Sequence, residues 1–208
     1  MIIIKHEMRT ERNKDRSWKV WLSRSEYEVL PREAETFEQE VAIRLMGDCG
    51  LRVQEVLDVK PKHVSRLSDG THFELKIVNG KNTTGEYTGG KYRETWLPRD
   101  VEATINRYIQ QADIDDNERL VPRAKRTVQY WVKEAAERAA EETGDHDYRH
   151  ISTHDLRRCW ANYLLVEQNI SPRIVMTLGG WNSYDAIEPY LAAPTEENII
   201  ESMRTALQ

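Results

Sequence analysis

His63-Val-Ser-Arg-Leu-Ser-Asp-Gly-Thr-His-Phe-Glu-Leu-Lys-Ile-Val78, taken up again after a Gly-rich connection by Tyr92-Arg-Glu-Thr-Trp-Leu97, is the stretch that sets the fold class. Val64 to Leu67, Thr71 to Val78 and Tyr92 to Leu97 are rich in β-formers, and Ser68-Asp69-Gly70 is a turn signal between the first two. The reading is three antiparallel strands. On both sides the hydrophobic period is that of helices. Upstream, Ser23 can cap a helix with acid in its first turn, and Thr36 to Gly47 sets Phe37, Val41 and Leu45 on one face. A short helix from Arg52 turns Val53, Val56 and Leu57 inward and stops before Pro61. Downstream, helical spacing covers 101–109, 127–142, 152–167, 172–178, 184–191 and 196–207. The expected fold is mainly α with a small three-stranded antiparallel sheet (α+β), preceded by a polar, irregular N-terminal arm over residues 1–20.

The chain has 208 residues, enough for one sizeable core but tight for two domains. No apolar run approaches the roughly 18 residues that span a bilayer, and Met1-Ile-Ile-Ile4 is too short for a signal-peptide core. A soluble, cytoplasmic protein with no membrane partner is expected. Cys49 and Cys159, the only cysteines, lie in apolar helical contexts and read as buried free thiols. The net charge of −5 argues against a nucleic-acid partner unless acid and base are segregated. Glu134, Glu137, Glu141 and Glu142 crowd one helix, which leaves room for a basic face elsewhere.

The sequence holds no Gly-rich phosphate loop, no Gly-x-Ser-x-Gly elbow and no Cys-x-x-Cys pair. His146, His150 and His154 recur every fourth residue, a spacing that could ligate a metal, but Gly144-Asp145 ahead of them favours a loop and no metal is expected. Three segments suit an anion better. In Thr153-His154-Asp155-Leu156-Arg157-Arg158, His154 and Arg157 share the first turn of a helix, whose free N–H groups and dipole favour phosphate. In Gly50-Leu51-Arg52-Val53-Gln54-Glu55, an acid three residues on can clamp the Arg52 guanidinium for a fork onto two oxygens. Lys81 follows Gly80 at a strand tip, where it can reach into a groove. Each has an ordinary alternative, namely a capped helix start, a surface ion pair and an edge lysine.

Taken in order, Gly50-Leu-Arg-x-x-Glu55, Gly80-Lys81, His154-x-x-Arg157, Leu178-Gly-Gly-Trp181 and Tyr190 resemble the tyrosine recombinase, or phage integrase, family, over about Trp21 to Pro194. Trp181 precedes Tyr190 by nine residues (190 − 181), a spacing the family shares, which selects Tyr190 over Tyr184. The resemblance implies a catalytic domain over 21–208, without the N-terminal clamp domain that relatives carry. It implies that Tyr190 attacks a DNA phosphate to form a 3′-phosphotyrosyl link. Arg52, Arg157, His154 and Trp181 would surround that phosphate, Lys81 would protonate the leaving 5′-oxygen, and Glu55 would support Arg52 from behind. Lys91 rivals Lys81, because the loop between them leaves the alignment open. Trp181 stands where many members have His. Double-stranded DNA and a homotetramer are the implied partners, and no cofactor is implied. Relaxation of the type IB topoisomerase kind and a non-catalytic DNA-binding remnant are the alternatives to recombination.

Overall fold

A computed structural model describes residues 8–12, 18–80, 91–191 and 196–206. The chain starts with an antiparallel pair, β1 (Arg9–Arg12) and β2 (Trp18–Trp21), followed by α1 (Arg24–Tyr27), α2 (Val29–Arg32), α3 (Phe37–Gly47) and the single turn α4 (Val53–Val56). The sheet comes next, with β3 (Val64–Arg66), β4 (Phe73–Gly80) and β5 (Lys91–Leu97) in that order and all antiparallel. The rest is helical: α5 (Arg99–Ala112), α6 (Lys125–Thr143), α7 (Thr153–Asn162), α8 (Pro172–Gly179), α9 (Tyr184–Ile187) and α10 (Glu196–Ala206). The mainly α architecture with one three-stranded sheet is the expected one. No helix among the described residues is long and apolar enough to cross a membrane.

α3 is the central helix. Thr36 caps it by accepting from the Gln39 N–H, and Val41, Ala42, Ile43, Leu45 and Met46 are almost wholly buried against α5 and α7. Burial of each such Leu or Ile contributes about 2 kcal/mol relative to exposure. Ala135, Ala136, Ala139 and Ala140 let α6 approach this core closely, and Cys49 and Cys159 lie within it as free thiols. A second, smaller apolar cluster of Trp160, Ala161, Val175, Trp181 and Ile187 joins α7, α8 and α9, and Tyr190 packs on it.

The N-terminal expectation needs correction. Residues 9–12 and 18–21 pair as strands instead of forming an irregular arm, and Met8 and Val20 enter the main core. The polar letters of β1 are its solvent side, so they carry no apolar alternation to read. The helix from Arg52 lasts a single turn, shorter than its apolar positions suggest, whereas α7 reaches its expected end at Glu167 by widening to a π-turn over Tyr163–Glu167. The stretch predicted as helix 184–191 changes after α9 to a 3₁₀ turn over Glu188–Tyr190.

Candidate active site

Glu55, 4% exposed at the end of α4, is the hub of the polar cluster between α4, β5 and α7. Its carboxylate accepts from the Arg52 backbone N–H at 2.7 Å and from Arg52 Nη1 at 2.9 Å. Arg93 Nη2 donates to it at 2.8 Å, and Arg157 Nη1 lies 4.0 Å away. Burial raises the carboxyl pKa, but Arg93, the Arg52 N–H, Arg157 and Arg52 together outweigh it and leave Glu55 below its ordinary value. One carboxylate therefore holds three guanidiniums in register, and the cluster keeps an excess of positive charge.

Arg157, on the first turns of α7, is 1% exposed. Nη1 donates to the Gly50 carbonyl and Nη2 to the Gly179 carbonyl at 2.6 Å. Arg93 Nη1 donates to the Leu178 carbonyl. Leu178 and Gly179 end α8, where unpaired carbonyls and the negative pole of the helix favour cations, so the helix C-terminus anchors two arginines. Burial, with Arg52 and Arg93 adding to it, pushes the Arg157 pKa down to about 9. Its Nε is buried and has no hydrogen-bond partner among the described residues, a costly position for a polar group.

The backbone around α8 explains the Gly179-Gly180 pair. Gly180 takes φ +69° to end the helix, and a Cβ there would stand 2.7 Å from Arg93 Cδ. A Cβ on Gly179 would stand 1.9 Å from the Trp181 ring. That ring is 7% exposed and has Arg157 Cζ 4.1 Å from its centroid, Trp160 at 6.0 Å and Tyr190 edge-on at 5.2 Å. Gly179→Ala is expected to destabilise the protein by about 3 kcal/mol, read from thermal unfolding, because the crowded ring has nowhere to go.

Tyr190 ends the 3₁₀ turn after α9, and its half-buried ring lies 4.9 Å from the His154 ring. His154, Arg157, Arg52, Glu55 and Lys125 line a cleft of about 500 Å³. Much of the His154 ring faces this cleft, yet the crowding around it lowers its pKa. Arg158, Arg157 and Arg52 act in the same direction, and Asp155 opposes them. An imidazole held below its ordinary pKa thus stands beside the tyrosine.

The profile of the phage integrase family matches residues 20–197 of this sequence. The chain belongs to the phage integrase family. Its fold is similar to those of solved tyrosine recombinases. XerA recombinase superposes with a TM-score of 0.69 at 17% identity, over 90% of this chain and 65% of that one. The XerH site-specific recombinase, solved bound to a palindromic difH substrate as a post-cleavage complex, gives 0.63 at 16% identity, over 90% and 53%. The Tn1549 transposon integrase, solved with transposon right end DNA, gives 0.65 at 13% identity, over 91% and 66%. This integrase-family chain spans between half and two-thirds of the length of those chains. A search of curated proteins returns no match.

Of the residues singled out in the integrase sequence, Arg52, Glu55, His154, Arg157, Trp181 and Tyr190 thus form one contiguous group. Lys81 lies outside the described residues. Lys91 opens β5 opposite Gly80, the last residue of β4. His146, His150 and His154 do not share a helix face. His150 stacks on Trp18 at 4.2 Å, and His146 meets Arg149, in a 3₁₀ turn that ends before α7 begins.

Arg93 was missed by sequence reading, and a signal for it existed. In Tyr92-Arg-Glu-Thr-Trp-Leu97 strict alternation puts Arg93, Thr95 and Leu97 on one face, and all three are buried opposite Ile77, Leu75 and Phe73. A charge on the core face of a strand must be paired, so its position alone marks it for a partner such as Glu55.

Proposed function

We propose that this chain is the catalytic part of a site-specific DNA recombinase that breaks and rejoins DNA through Tyr190. The observation that carries the reading is that His154 and the guanidiniums of Arg52 and Arg157 line one cleft while Tyr190 packs against that histidine. Phosphodiester cleavage needs that set: a nucleophile, a base for its proton and positive charge where the phosphorane gathers negative charge. Tyr190 Oη attacks phosphorus and gives its proton to His154. A 3′-phosphotyrosyl bond forms, the bond to the 5′-oxygen breaks, and Lys81 or Lys91 protonates that oxygen. Arg52 and Arg157 hold the non-bridging oxygens, with Trp181 beside them. A 5′-hydroxyl from a second strand reverses the step, and because the phosphotyrosine conserves the bond energy no ATP is consumed.

Double-stranded DNA is the proposed substrate and a tetramer of this chain on DNA the proposed assembly. The Tn1549 integrase was solved with transposon right end DNA and XerH with its difH substrate, which supports the first. The net charge of −5 is compatible with it because the two ends of α6 carry opposite charge. Lys125 at its start lines the cleft, whereas the exposed Glu141 and Glu142 near its end lie about 25 Å farther along the axis.

The test uses a pool of duplexes randomised around a nick, from which covalent protein–DNA adducts are captured and sequenced. Exchange of strands between two copies of the captured site is the expected result. Relaxation of a supercoiled plasmid without exchange would make the chain topoisomerase-like, and absence of any adduct would leave a DNA-binding remnant. The pH profile tests the base. With its pKa held below 6.5, His154 is neutral at pH 7, so single-turnover cleavage should stay level down to that lowered pKa and then fall about tenfold per pH unit. His154→Ala should slow the reaction and abolish this acid limb.

A further inference from the structure

We infer that Trp21 of β2 is a positioning residue for Tyr190, so that the β1–β2 pair sets the reach of the nucleophile. The inference rests on the reading of Tyr190 as the attacking group. Tyr190 has little local scaffolding. The 3₁₀ turn that carries it is three residues long, and the next residue, Leu191, is already extended, with its N–H donated to the Glu188 carbonyl. The Tyr190 carbonyl is instead fixed from the opposite end of the chain, where Trp21 Nε1 donates to it at 3.2 Å.

Trp21 can serve as an anchor because its own place is over-determined. The ring is 7% exposed and lies between two cations, with Arg9 Cζ 5.1 Å and Arg158 Cζ 5.3 Å from its centroid. Arg158 also faces the Tyr190 ring at 6.0 Å, so one buried guanidinium touches both partners of the hydrogen bond. Asp155 completes the link. It is buried, pairs with Arg158, accepts the Val20 N–H at 3.0 Å and accepts the Ser152 N–H at 2.9 Å. The strand bearing Trp21 is thereby tied to the same turn of α7 that carries His154 and Arg157. Nucleophile, base and phosphate-binding arginine share one frame, and the indole N–H is the part of it that reaches Tyr190.

Trp21→Phe removes the N–H and keeps an aromatic ring between the two arginines. It is expected to slow covalent adduct formation ten- to a hundredfold in single-turnover assays on a duplex captured from the randomised nicked pool, with duplex affinity unchanged, because misplacing a nucleophile costs rate and not binding. A rate within twofold of wild type, or an equal loss of affinity, overturns the inference. A second measurement is independent of activity. With ¹³C-carbonyl tyrosine and ¹⁵N leucine, only the Tyr163–Leu164 and Tyr190–Leu191 linkages give signals. Trp21→Phe should shift the second signal and leave the first in place. Two unshifted signals defeat the inference even if Tyr190 proves catalytic. If the wild type forms no adduct while the second signal shifts, the catalytic reading of Tyr190 fails and the Trp21 contact stands as purely structural.

Discussion

Tyr190→Phe is expected to eliminate the covalent protein–DNA adduct, lowering the cleavage rate by roughly four orders of magnitude or more, because nothing replaces the attacking oxygen. The substitution is conservative for everything else. The phenyl ring keeps the His154 contact at 4.9 Å and the edge-on contact with Trp181 at 5.2 Å, and the bond from Trp21 goes to the main-chain carbonyl, which survives. Thermal stability should therefore stay within about 0.5 kcal/mol of wild type, and duplex affinity should not change. Tyr184, half exposed on α9, is the control, and Tyr184→Phe should cleave normally. The adduct is read on a denaturing gel after incubation with a nicked duplex. An adduct that persists in Tyr190→Phe, or one lost equally in Tyr184→Phe, would falsify the assignment.

The contrast between those two tyrosines shows what was legible in the sequence. The nine residues from Trp181 to Tyr190 hold one helical turn at α9 and a 3₁₀ turn, and this path, which starts just after the left-handed helix end at Gly180, folds the Tyr190 ring back onto Trp181. Residue types with local meaning were readable: the strands, the turn at Ser68-Asp69-Gly70, the Ser152 cap ahead of His154, and Arg52 with Glu55 one turn on. What stayed hidden are partners that no residue type announces. Arg157 and Arg93 end on the carbonyls of Gly50, Gly179 and Leu178, and any residue supplies a carbonyl. The β1–β2 pair was hidden for a related reason, since its tie to α7 runs through a main-chain N–H of Val20. Long-range contacts of this kind depend on the tertiary fold and leave no periodic trace in the chain.

The charge balance of the site depends on Glu55 more than on any single arginine, so Glu55→Gln is expected to have the largest effect on stability. Glutamine has nearly the same shape, yet it removes the one carboxylate among the described residues that Arg52, Arg93 and Arg157 share and turns an amide donor toward guanidiniums that are themselves donors. Breaking one side of a buried ion pair costs about 3–5 kcal/mol, a large part of a typical folding free energy, and corresponds to a fall in Tm of about 10 °C for a chain of this size. The sign of the pH dependence follows from the lowered pKa of Glu55. Its contribution is present above the ordinary value of 4.5 and is lost as pH falls through the lower folded value, so the gap between wild type and variant should be full at pH 7 and close at acid pH. Inorganic phosphate separates this account from loose packing. With Glu55 neutralised the guanidiniums are more strongly positive, so phosphate should raise the Tm of the variant more than that of wild type. Equal Tm values at pH 7, or a gap that widens toward acid pH, would show that the three arginines do not depend on Glu55 for their counter-charge.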